Sequence, residues 1–325
     1  MSVSLKTIFD PFSDDFRAFE QTFTEIMRSD VKLVDQVASY LVKHKGKQFR
    51  PALVLVAARA IGEPTRDTYV TAAVVELLHT ASLVHDDVLD EAELRRGFTT
   101  IHKIWKNKIA ILMGDYLLSK SLIAATEIGS LDIMHTVATV AKRLIKGAMF
   151  EIQKSRSVTM SEEDYYRVIA DKTASLISAC CELGALTVGA SDPQRQAMRD
   201  FGEHLGVAFQ IKDDLLDYEA SSGILGKPAL ADVQDKKVTL PLILALKQAD
   251  DGEGKRILKA VKKGIDKQKL AWVLDFVQRY DGIARARERA EAIKQEAVDA
   301  LAVLPDSPAK QSLIDLADFV VNRKK

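Results

Sequence analysis

The stretch that decides the fold of this chain covers residues 69–90 and has the sequence YVTAAVVELLHTASLVHDDVLD. Its apolar residues recur every three or four positions as far as Val88, which is the period of an α-helix that packs on a core. Four polar residues interrupt the pattern near its end: His85, Asp86, Asp87 and Asp90. We therefore predict a buried helix that carries acidic side chains at its carboxyl end.

The same spacing of apolar residues recurs in further stretches. They are Phe16 to Met27, Val31 to Val42, Ile109 to Ala125, Ile133 to Phe150, Tyr165 to Val188 and Arg195 to Tyr218. Gly, Pro, Ser and Thr collect between them, and no window shows the sustained alternation of a strand. The pattern predicts an all-α helical bundle in one domain over residues 1–325. Its core would cover about 30–250, followed by a more polar helical extension at about 251–325.

Composition and charge exclude several classes of protein. Hydrophobic residues make up 47% and charged residues 28% of the 325 positions, which excludes a disordered or fibrous chain. The 46 basic residues balance the 46 acidic ones, so we expect no nucleic acid partner. Charged residues interrupt the apolar stretches, so we expect neither a signal peptide nor a membrane span. Cys180 and Cys181 are adjacent and cannot readily pair, which favours a reduced chain in the cytoplasm.

The first acidic cluster has the spacing of a cation site. Asp86 and Asp90 are four residues apart, so on a helix their carboxylates lie on one face, about 6 Å apart at the β-carbons. They repel each other unless a cation lies between them. Such oxygen ligands suit Mg²⁺, which keeps several waters and bridges a few carboxylates to a phosphate. A solvated acidic helix end is the alternative for a single cluster of this kind.

The acidic pattern occurs a second time, at Asp213, Asp214 and Asp217. Two such clusters at the ends of core helices could face each other across a bundle and hold several cations. Basic residues stand in short connecting segments, and each alone could be a solvated charge: Lys45, Lys47, Arg50, Arg95, Arg96, Lys172, Lys227, Lys236 and Lys237. Together, acid pairs for Mg²⁺ and these Arg and Lys donors predict a site for a polyphosphate.

The order of these motifs resembles that of the trans-type isoprenyl (polyprenyl) diphosphate synthases, from Leu41 to about Leu244. The segments that carry the resemblance are GKQFRP at 46–51, LH at 78–79, HDDVLD at 85–90, RRG at 95–97, KT at 172–173, FQIKDD at 209–214 and GKP at 226–228. Lys45 and Gln48 replace a glycine and an arginine that are common in the family, and Lys212 replaces an uncharged residue.

The resemblance implies a prenyltransferase that joins isopentenyl diphosphate to an allylic diphosphate, head to tail and trans, and releases diphosphate. Asp86, Asp90 and Asp213 would hold Mg²⁺, three ions per site, with Asp87, Asp214 and Asp217 as further ligands or supporting acceptors. The residues implied to contact the allylic diphosphate are Arg95, Lys172, Thr173, Gln210, Lys227 and Lys237. Those implied to hold isopentenyl diphosphate are Lys47, Arg50, His79 and Arg96. The resemblance also implies a homodimer.

The helix before Asp86 suggests the product length. At about 100° per residue, one flank of that helix is free to line a tunnel for the growing chain. The residues on this flank are Val74, Leu78, Ala81 and Ser82. In the family, aromatic residues four or five positions before the first aspartate are associated with short products, so Ala81 and Ser82 favour a long product of about six or more isoprene units. Alternatively, these small residues merely allow close helix packing, or a plug from another helix, such as Phe150, closes the tunnel. The alternative function is a short-chain (farnesyl or geranylgeranyl) diphosphate synthase.

Three other functions stay open at this point. A terpene cyclase would also be all-α, although that family presents an Asn/Ser/Glu metal motif where this chain has a second DDxxD pattern. A non-catalytic synthase subunit is expected to lack one acidic cluster or the basic residues. A helical scaffold that binds cations would not need Arg50, Arg95 and Arg96.

Overall fold

The computed structural model describes residues 4–157, 160–219 and 230–324. Within these residues the chain is almost entirely helical, with one short two-stranded antiparallel hairpin. The prediction of an all-α fold is therefore confirmed.

The helices of the N-terminal part are α1 (Leu5–Phe9), α2 (Ser13–Met27), α3 (Lys32–Lys43), α4 (Phe49–Arg59), α5 (Arg66–Leu89) and α6 (Ile101–Glu127). The hairpin strands between α5 and α6 are β1 (Leu94–Arg95) and β2 (Phe98–Thr99). The middle part contains α7 (Leu131–Ser157), α8 (Glu162–Ile169), a π-helical turn (Ala170–Ala174), α9 (Ser175–Leu186) and α10 (Asp192–Glu219). The C-terminal part contains α11 (Ala231–Gln234), α12 (Leu240–Gln248), α13 (Asp251–Lys263), α14 (Lys267–Arg279), α15 (Gly282–Ala300) and α16 (Pro308–Asn322).

These elements pack as two compact units. The first unit comprises the described residues up to Lys142, together with 176–202 and 300–315. The second comprises 143–175, 203–299 and the residues from Leu316 onward. Each unit therefore contains one of the two acidic clusters.

The core of the first unit is built around α5, which packs against α2, α4 and α6. The N-terminus of α5 is capped by Thr68, whose Oγ1 accepts a hydrogen bond of 3.0 Å from the N–H of Thr65. The apolar pattern does not predict α4, because its residues from Pro51 to Ala58 are all buried and leave no polar face. Pro51 fits there since it lies in the first turn, where its missing N–H has no helical acceptor.

The core of the second unit is formed by apolar side chains of α8, α10, α12, α13, α14 and α15. The C-terminal extension is less polar than expected, because Phe276 and Ala286 belong to this core and Leu316 and Val320 of α16 are also buried. These C-terminal helices are thus amphipathic elements of the core.

Helix α6 has two unusual properties. Its path breaks at Lys106, whose φ of 72° and ψ of 160° lie in a region that glycine occupies far more easily than other residues. Among the described residues, α6 is also the one helix long and apolar enough to cross a membrane by length and composition. That is weak evidence for a span, since core helices of soluble proteins meet the same criterion.

Candidate active site

The first acidic cluster lies at the carboxyl end of α5. Asp86 and Asp87 are in its last turn, and Asp90 is the C-cap residue, with an N–H that donates to the Asp86 carbonyl at 2.8 Å. Asp87 is only 5% exposed and accepts a hydrogen bond of 2.7 Å from Arg95 Nε. Asp86 is half-buried and Asp90 is exposed. Asp86 and Asp90 are therefore the carboxylates of this cluster that solvent ions can reach.

The hairpin that follows carries both arginines of the RRG motif. Arg96 and Gly97 form its two-residue turn with φ values of 54° and 82°, which is the backbone of a type I′ turn. Helix α3 holds the hairpin, because the Tyr40 hydroxyl donates to the Thr99 carbonyl at 2.7 Å. The His44 ring also lies 4.3 Å from the Phe98 ring. Helix α3 and its C-cap residue thus hold the hairpin that carries Arg95 and Arg96.

The loop before α4 meets the same hairpin. The Arg96 guanidinium packs against Gly46 so closely that a Cβ at this position would collide with it. This close approach explains the glycine of the GKQFRP segment. Lys47 is exposed on the loop, whereas Arg50 is half-buried in the first turn of α4.

A pocket of about 740 Å³, open to solvent, lies beside these elements in the first unit. Its polar lining residues include Lys45, Glu76, His79, Thr80, Asp87, Arg95 and Arg96. Three cationic side chains reach the pocket, of which Arg95 is paired with Asp87 and Lys45 with Glu20. Arg96 is therefore the cation of this pocket that is best placed for an anion.

His79 is neutral in this pocket. Burial, together with the nearby Arg50 and Arg96, holds the pKa of His79 well below its usual value. Because a guanidinium only donates, His79 Nε2 accepts the 3.0 Å hydrogen bond from Arg50 Nη1. The predicted pair His79 and Arg50 is thus in direct contact, and the histidine orients the arginine.

Glu76 is a residue of this pocket that the sequence analysis missed. It is buried one turn before His79 on α5, and burial raises its pKa while Arg50, Arg96 and Lys45 oppose the rise. A polar residue inside an otherwise apolar run was the available signal, since such a residue needs a partner or a role.

The second acidic cluster lies near the end of α10, and its three aspartates have three different partners. Asp213 forms an ion pair of 2.6 Å with Arg323. Asp214 is 3% exposed and accepts hydrogen bonds from the Tyr165 hydroxyl at 2.7 Å and from Gln210 Nε2 at 3.0 Å. Asp217 accepts from the N–H of Asp232 at 3.2 Å, at the start of α11.

Asp214 is unusual in its protonation. Burial, with a further contribution from Asp232, raises the pKa of Asp214 to about 8. Burial also raises the pKa of Asp232 to about 6. Near neutral pH the Asp214 carboxyl is therefore largely protonated in the metal-free protein.

A second pocket, of about 640 Å³, lies in the second unit. The predicted residues that line it are Lys172, Thr173, Gln210, Asp214 and Lys237. Lys172 and Thr173 belong to the π-helical turn, a rare local geometry that is frequent at functional sites. Thr173 Oγ1 donates to Gln210 Oε1 at 3.0 Å, which joins this turn to α10.

Three acidic or phenolic residues of this pocket were missed: Glu151, Tyr165 and Asp232. Glu151 lies 2.5 Å from Lys172 Nζ and 3.9 Å from Lys237 Nζ, so it holds the two lysines on one side of the pocket. Glu151 and Tyr165 stand in amphipathic helices with no local signal. Asp232 could have been suspected, since it closely precedes Lys236 and Lys237.

Lys227, with its neighbours Gly226 and Pro228, lies outside the described residues. The four residues of the predicted product tunnel are described, but none of them lines either of the two pockets. Val74, Leu78 and Ala81 are buried, and Ser82 Oγ donates to the His79 carbonyl at 2.8 Å. Phe150 belongs to the second unit, where the Arg167 guanidinium lies 4.2 Å from its ring centre.

The carboxylates fit Mg²⁺ bound together with a phosphate group. Within the described residues no group of three or more His, Cys, Asp or Glu side chains could hold a metal ion by itself. Mg²⁺ commonly takes one or two carboxylates and completes its shell with water and substrate phosphate oxygens. Asp86 with Asp90, and Asp213 near the end of α10, provide such partial sets of oxygen ligands.

Comparison with known proteins identifies the family of this chain. The Polyprenyl synthetase family model matches residues 31–277. Octaprenyl diphosphate synthase of Escherichia coli (strain K12) is 33% identical, over 99% of this chain and 100% of that protein. Heptaprenyl diphosphate synthase component 2 of Geobacillus stearothermophilus is 35% identical, over 99% of both chains.

A solved structure is similar along nearly the whole length. The crystal structure of a decaprenyl diphosphate synthase from Rhodobacter capsulatus has a TM-score of 0.93 and 36% identity, and the match covers 98% of each chain. The family match spans both acidic clusters and the basic residues of both pockets. The chain thus belongs to the polyprenyl synthetase family, as its motifs indicated.

Proposed function

We propose that this chain is a prenyltransferase that condenses isopentenyl diphosphate with an allylic diphosphate and makes a linear, trans polyprenyl diphosphate of about six or more units. The observation that carries the proposal is the pairing, in each unit, of an acidic cluster with a pocket lined by Lys or Arg. The similarity to octaprenyl and heptaprenyl diphosphate synthases supports a long product.

In the first unit, the isopentenyl diphosphate would be held by Lys47, Arg50, His79 and Arg96. The contact between His79 and Arg50 supports this assignment, because a neutral imidazole orients the guanidinium without adding a charge. Arg96, whose guanidinium packs on Gly46, provides a second donor. Forked guanidinium groups suit a diphosphate because they bind its oxygens two at a time.

The allylic diphosphate would be bound by Lys172, Thr173, Gln210 and Lys237, with Arg95 and Lys227 contributing. Glu151 supports this assignment by holding the two lysines of the pocket in place. The metal ligands would be Asp86, Asp90 and Asp213, for three Mg²⁺ ions. Asp87, Asp214 and Asp217 would be further ligands or would support these ligands through the hydrogen bonds already described.

The reaction follows from these roles. Bound Mg²⁺ would neutralise negative charge on the leaving diphosphate. Lys172 and Lys237 donate to its oxygens and stabilise the charge that builds as the carbon–oxygen bond of the allylic substrate breaks. The double bond of isopentenyl diphosphate, held by Arg50 and Arg96, then attacks the allylic cation. Loss of a proton, accepted by the departing diphosphate, gives the elongated allylic diphosphate.

Assembly and location are part of the same proposal. We expect a homodimer, since α6 exposes apolar side chains at Ile104, Ile111, Leu112 and Ile123 that a second copy could cover. Coverage of this kind also accounts for the apolar character of α6 without a membrane span. We further expect one functional domain over residues 1–325, located in the cytoplasm, with a lipophilic product.

Pyrophosphate release tests the function. The purified chain alone, mixed with isopentenyl diphosphate, farnesyl diphosphate and Mg²⁺, should release pyrophosphate and yield products that mass spectrometry identifies as chains of about six or more units. No release of pyrophosphate from this substrate pair would mean that the chain is a non-catalytic subunit or a scaffold. A product that stops at three or four units would overturn the long-chain assignment, and a cyclic hydrocarbon would indicate a cyclase.

A further inference from the structure

The carboxylate of Asp213 is paired with the guanidinium of Arg323. Arg323 follows α16, and its Nη2 donates to Asp213 Oδ1 at 2.6 Å and to the Phe209 carbonyl at 3.2 Å. The guanidinium also lies over the Phe209 ring, 4.1 Å from the ring centre. Phe209 and Asp213 are one turn apart on α10, so Arg323 contacts one face of that helix.

The two partners differ in their access to solvent. The Arg323 side chain is 12% exposed, whereas the Asp213 side chain is 41% exposed. The guanidinium is thus largely withdrawn from water, which strengthens its attraction to the carboxylate. The carboxylate itself remains reachable from solvent, where a divalent cation would approach it.

Arg323 is held in place by a well-anchored helix end. Its N–H donates to the Phe319 carbonyl at 3.0 Å, which continues the helical pattern of α16. Leu316, Ala317 and Val320 in the preceding turns are buried. The cation at Asp213 therefore comes from ordered backbone, and only the side chain must rotate to leave it.

We propose that Arg323 is the resident counter-ion of Asp213, so that divalent cations bind this carboxylate only in competition with it. The inference rests on the metal role proposed for Asp213. A divalent ion and a guanidinium on the same carboxylate repel each other, and this lowers the affinity for the metal alone. When a diphosphate is present, its oxygens supply further ligands, and the ion then outcompetes Arg323. Arg323 is thus a positioning residue that couples metal binding at the second cluster to substrate binding.

The test measures binding of Mn²⁺ alone, as a paramagnetic substitute for Mg²⁺, to the full-length protein by electron paramagnetic resonance. Arg323→Gln should bind Mn²⁺ at least about fivefold more tightly than wild type. Lys324→Gln is the matched control, because it removes the same charge one residue away at an exposed position, and it should leave the affinity unchanged. In an Asp213→Asn background, Arg323→Gln should have no effect.

Two further measurements complete the test. Inorganic diphosphate should reduce the difference in Mn²⁺ affinity between Arg323→Gln and wild type, because its oxygens supply further ligands for the ion. If Arg323→Gln does not fold, the wild-type protein provides a second test. Mn²⁺ with diphosphate should increase the rate at which phenylglyoxal modifies Arg323, measured on the C-terminal peptide. Equal Mn²⁺ affinities of wild type and Arg323→Gln, or unchanged modification of Arg323, would overturn the inference.

These outcomes are separable from those of the proposed function. A wild-type protein that makes polyprenyl diphosphates but shows no effect of Arg323 would refute only the counter-ion role. A protein that releases no pyrophosphate, yet binds Mn²⁺ more tightly after Arg323→Gln, would refute only the enzymatic proposal.

Discussion

Asp87 and Asp214 occupy the same place in the two acidic clusters, and both are buried, at 5% and 3% exposure, but their partners differ in kind. Asp87 accepts from the charged Arg95, whereas Asp214 accepts from the neutral donors Tyr165 and Gln210. The first carboxylate is paired with a cation, whereas the donors to the second are neutral and burial raises its pKa. One sequence pattern therefore has two different sets of partners at its second aspartate.

Replacement of the first aspartate of each cluster should produce the largest effect on turnover. Asp86→Ala and Asp213→Ala are each expected to lower turnover by at least about a hundredfold, because one lost stabilising group costs roughly 3 kcal/mol in the transition state and weaker metal binding adds to that. Steady-state pyrophosphate release at saturating substrates measures the loss. Asp35→Ala, at an exposed position of α3, is the control and should keep the wild-type rate. Near-wild-type rates for both cluster variants would remove the metal assignment from both regions.

Variants of Arg50 and Lys172 should separate the two substrates. Arg50→Ala is expected to raise the Michaelis constant for isopentenyl diphosphate about tenfold to a hundredfold, and Lys172→Ala that for the allylic substrate, because each removes a charged donor from one diphosphate. Varying one substrate at a time gives both constants for each variant. Lys142→Ala, at an exposed lysine of α7, is the control. If either variant changed both constants equally, the division of roles between the units would be wrong.

The residues before the two clusters also differ in size. Ala81 and Ser82 precede Asp86 by five and four residues, whereas Ala208 and Phe209 precede Asp213 at the same distances. The Phe209 ring contacts Arg323, so an aromatic ring and a guanidinium occupy this face of the second helix. Under the tunnel hypothesis, a growing chain passes the small residues of α5.

Product length should therefore respond to changes on α5. Ala81→Phe or Ser82→Phe is expected to shorten the product to about three or four units without loss of the first condensation, since each residue along the helix accounts for about 1.5 Å of depth. Mass spectrometry of the products measures the change. Ala81→Val is a milder control that should shorten the product less. Unchanged lengths in both Phe variants, or a wild-type product of three units, would contradict the tunnel hypothesis.

Much of this organisation could be predicted because it depends on local periodicity. The amphipathic stretches gave the long helices, and the i, i+4 aspartates gave both clusters. Helix α4 escaped prediction because burial on all sides erases the helical period in the sequence. Partners from distant parts of the chain were beyond local patterns: Arg323 lies 110 residues from Asp213, and Tyr165 lies 49 residues from Asp214. Such contacts depend on tertiary packing, which a single sequence does not encode locally.

The smallest expected effect is a difference in the free energy of unfolding between variants of the two buried aspartates. Asp87→Asn is expected to destabilise the metal-free protein by about 1.5–3 kcal/mol near neutral pH, because it weakens a charge-assisted hydrogen bond to Arg95. Asp214→Asn should cost less at that pH, since the Asp214 carboxyl is already largely protonated and its hydrogen-bonding neighbours are neutral. Urea unfolding in EDTA measures both changes, and a larger loss in Asp214→Asn would contradict the comparison.

The pH dependence of the free energy of unfolding also distinguishes the two variants. The folded pKa of Asp214, about 8, lies above its ordinary value of 3.8, so the folded state binds the proton more tightly than the unfolded state. The resulting stabilisation is fully present below about pH 3.8 and is lost as the pH rises through about 8. Relative to Asp214→Asn, wild type should therefore lose stability steadily between pH 5 and pH 8, about the range set by these two values. Asp87→Asn still contains Asp214 and should follow the wild-type slope. A stability difference between wild type and Asp214→Asn that stayed constant across this range would contradict the raised pKa of Asp214 in the folded protein.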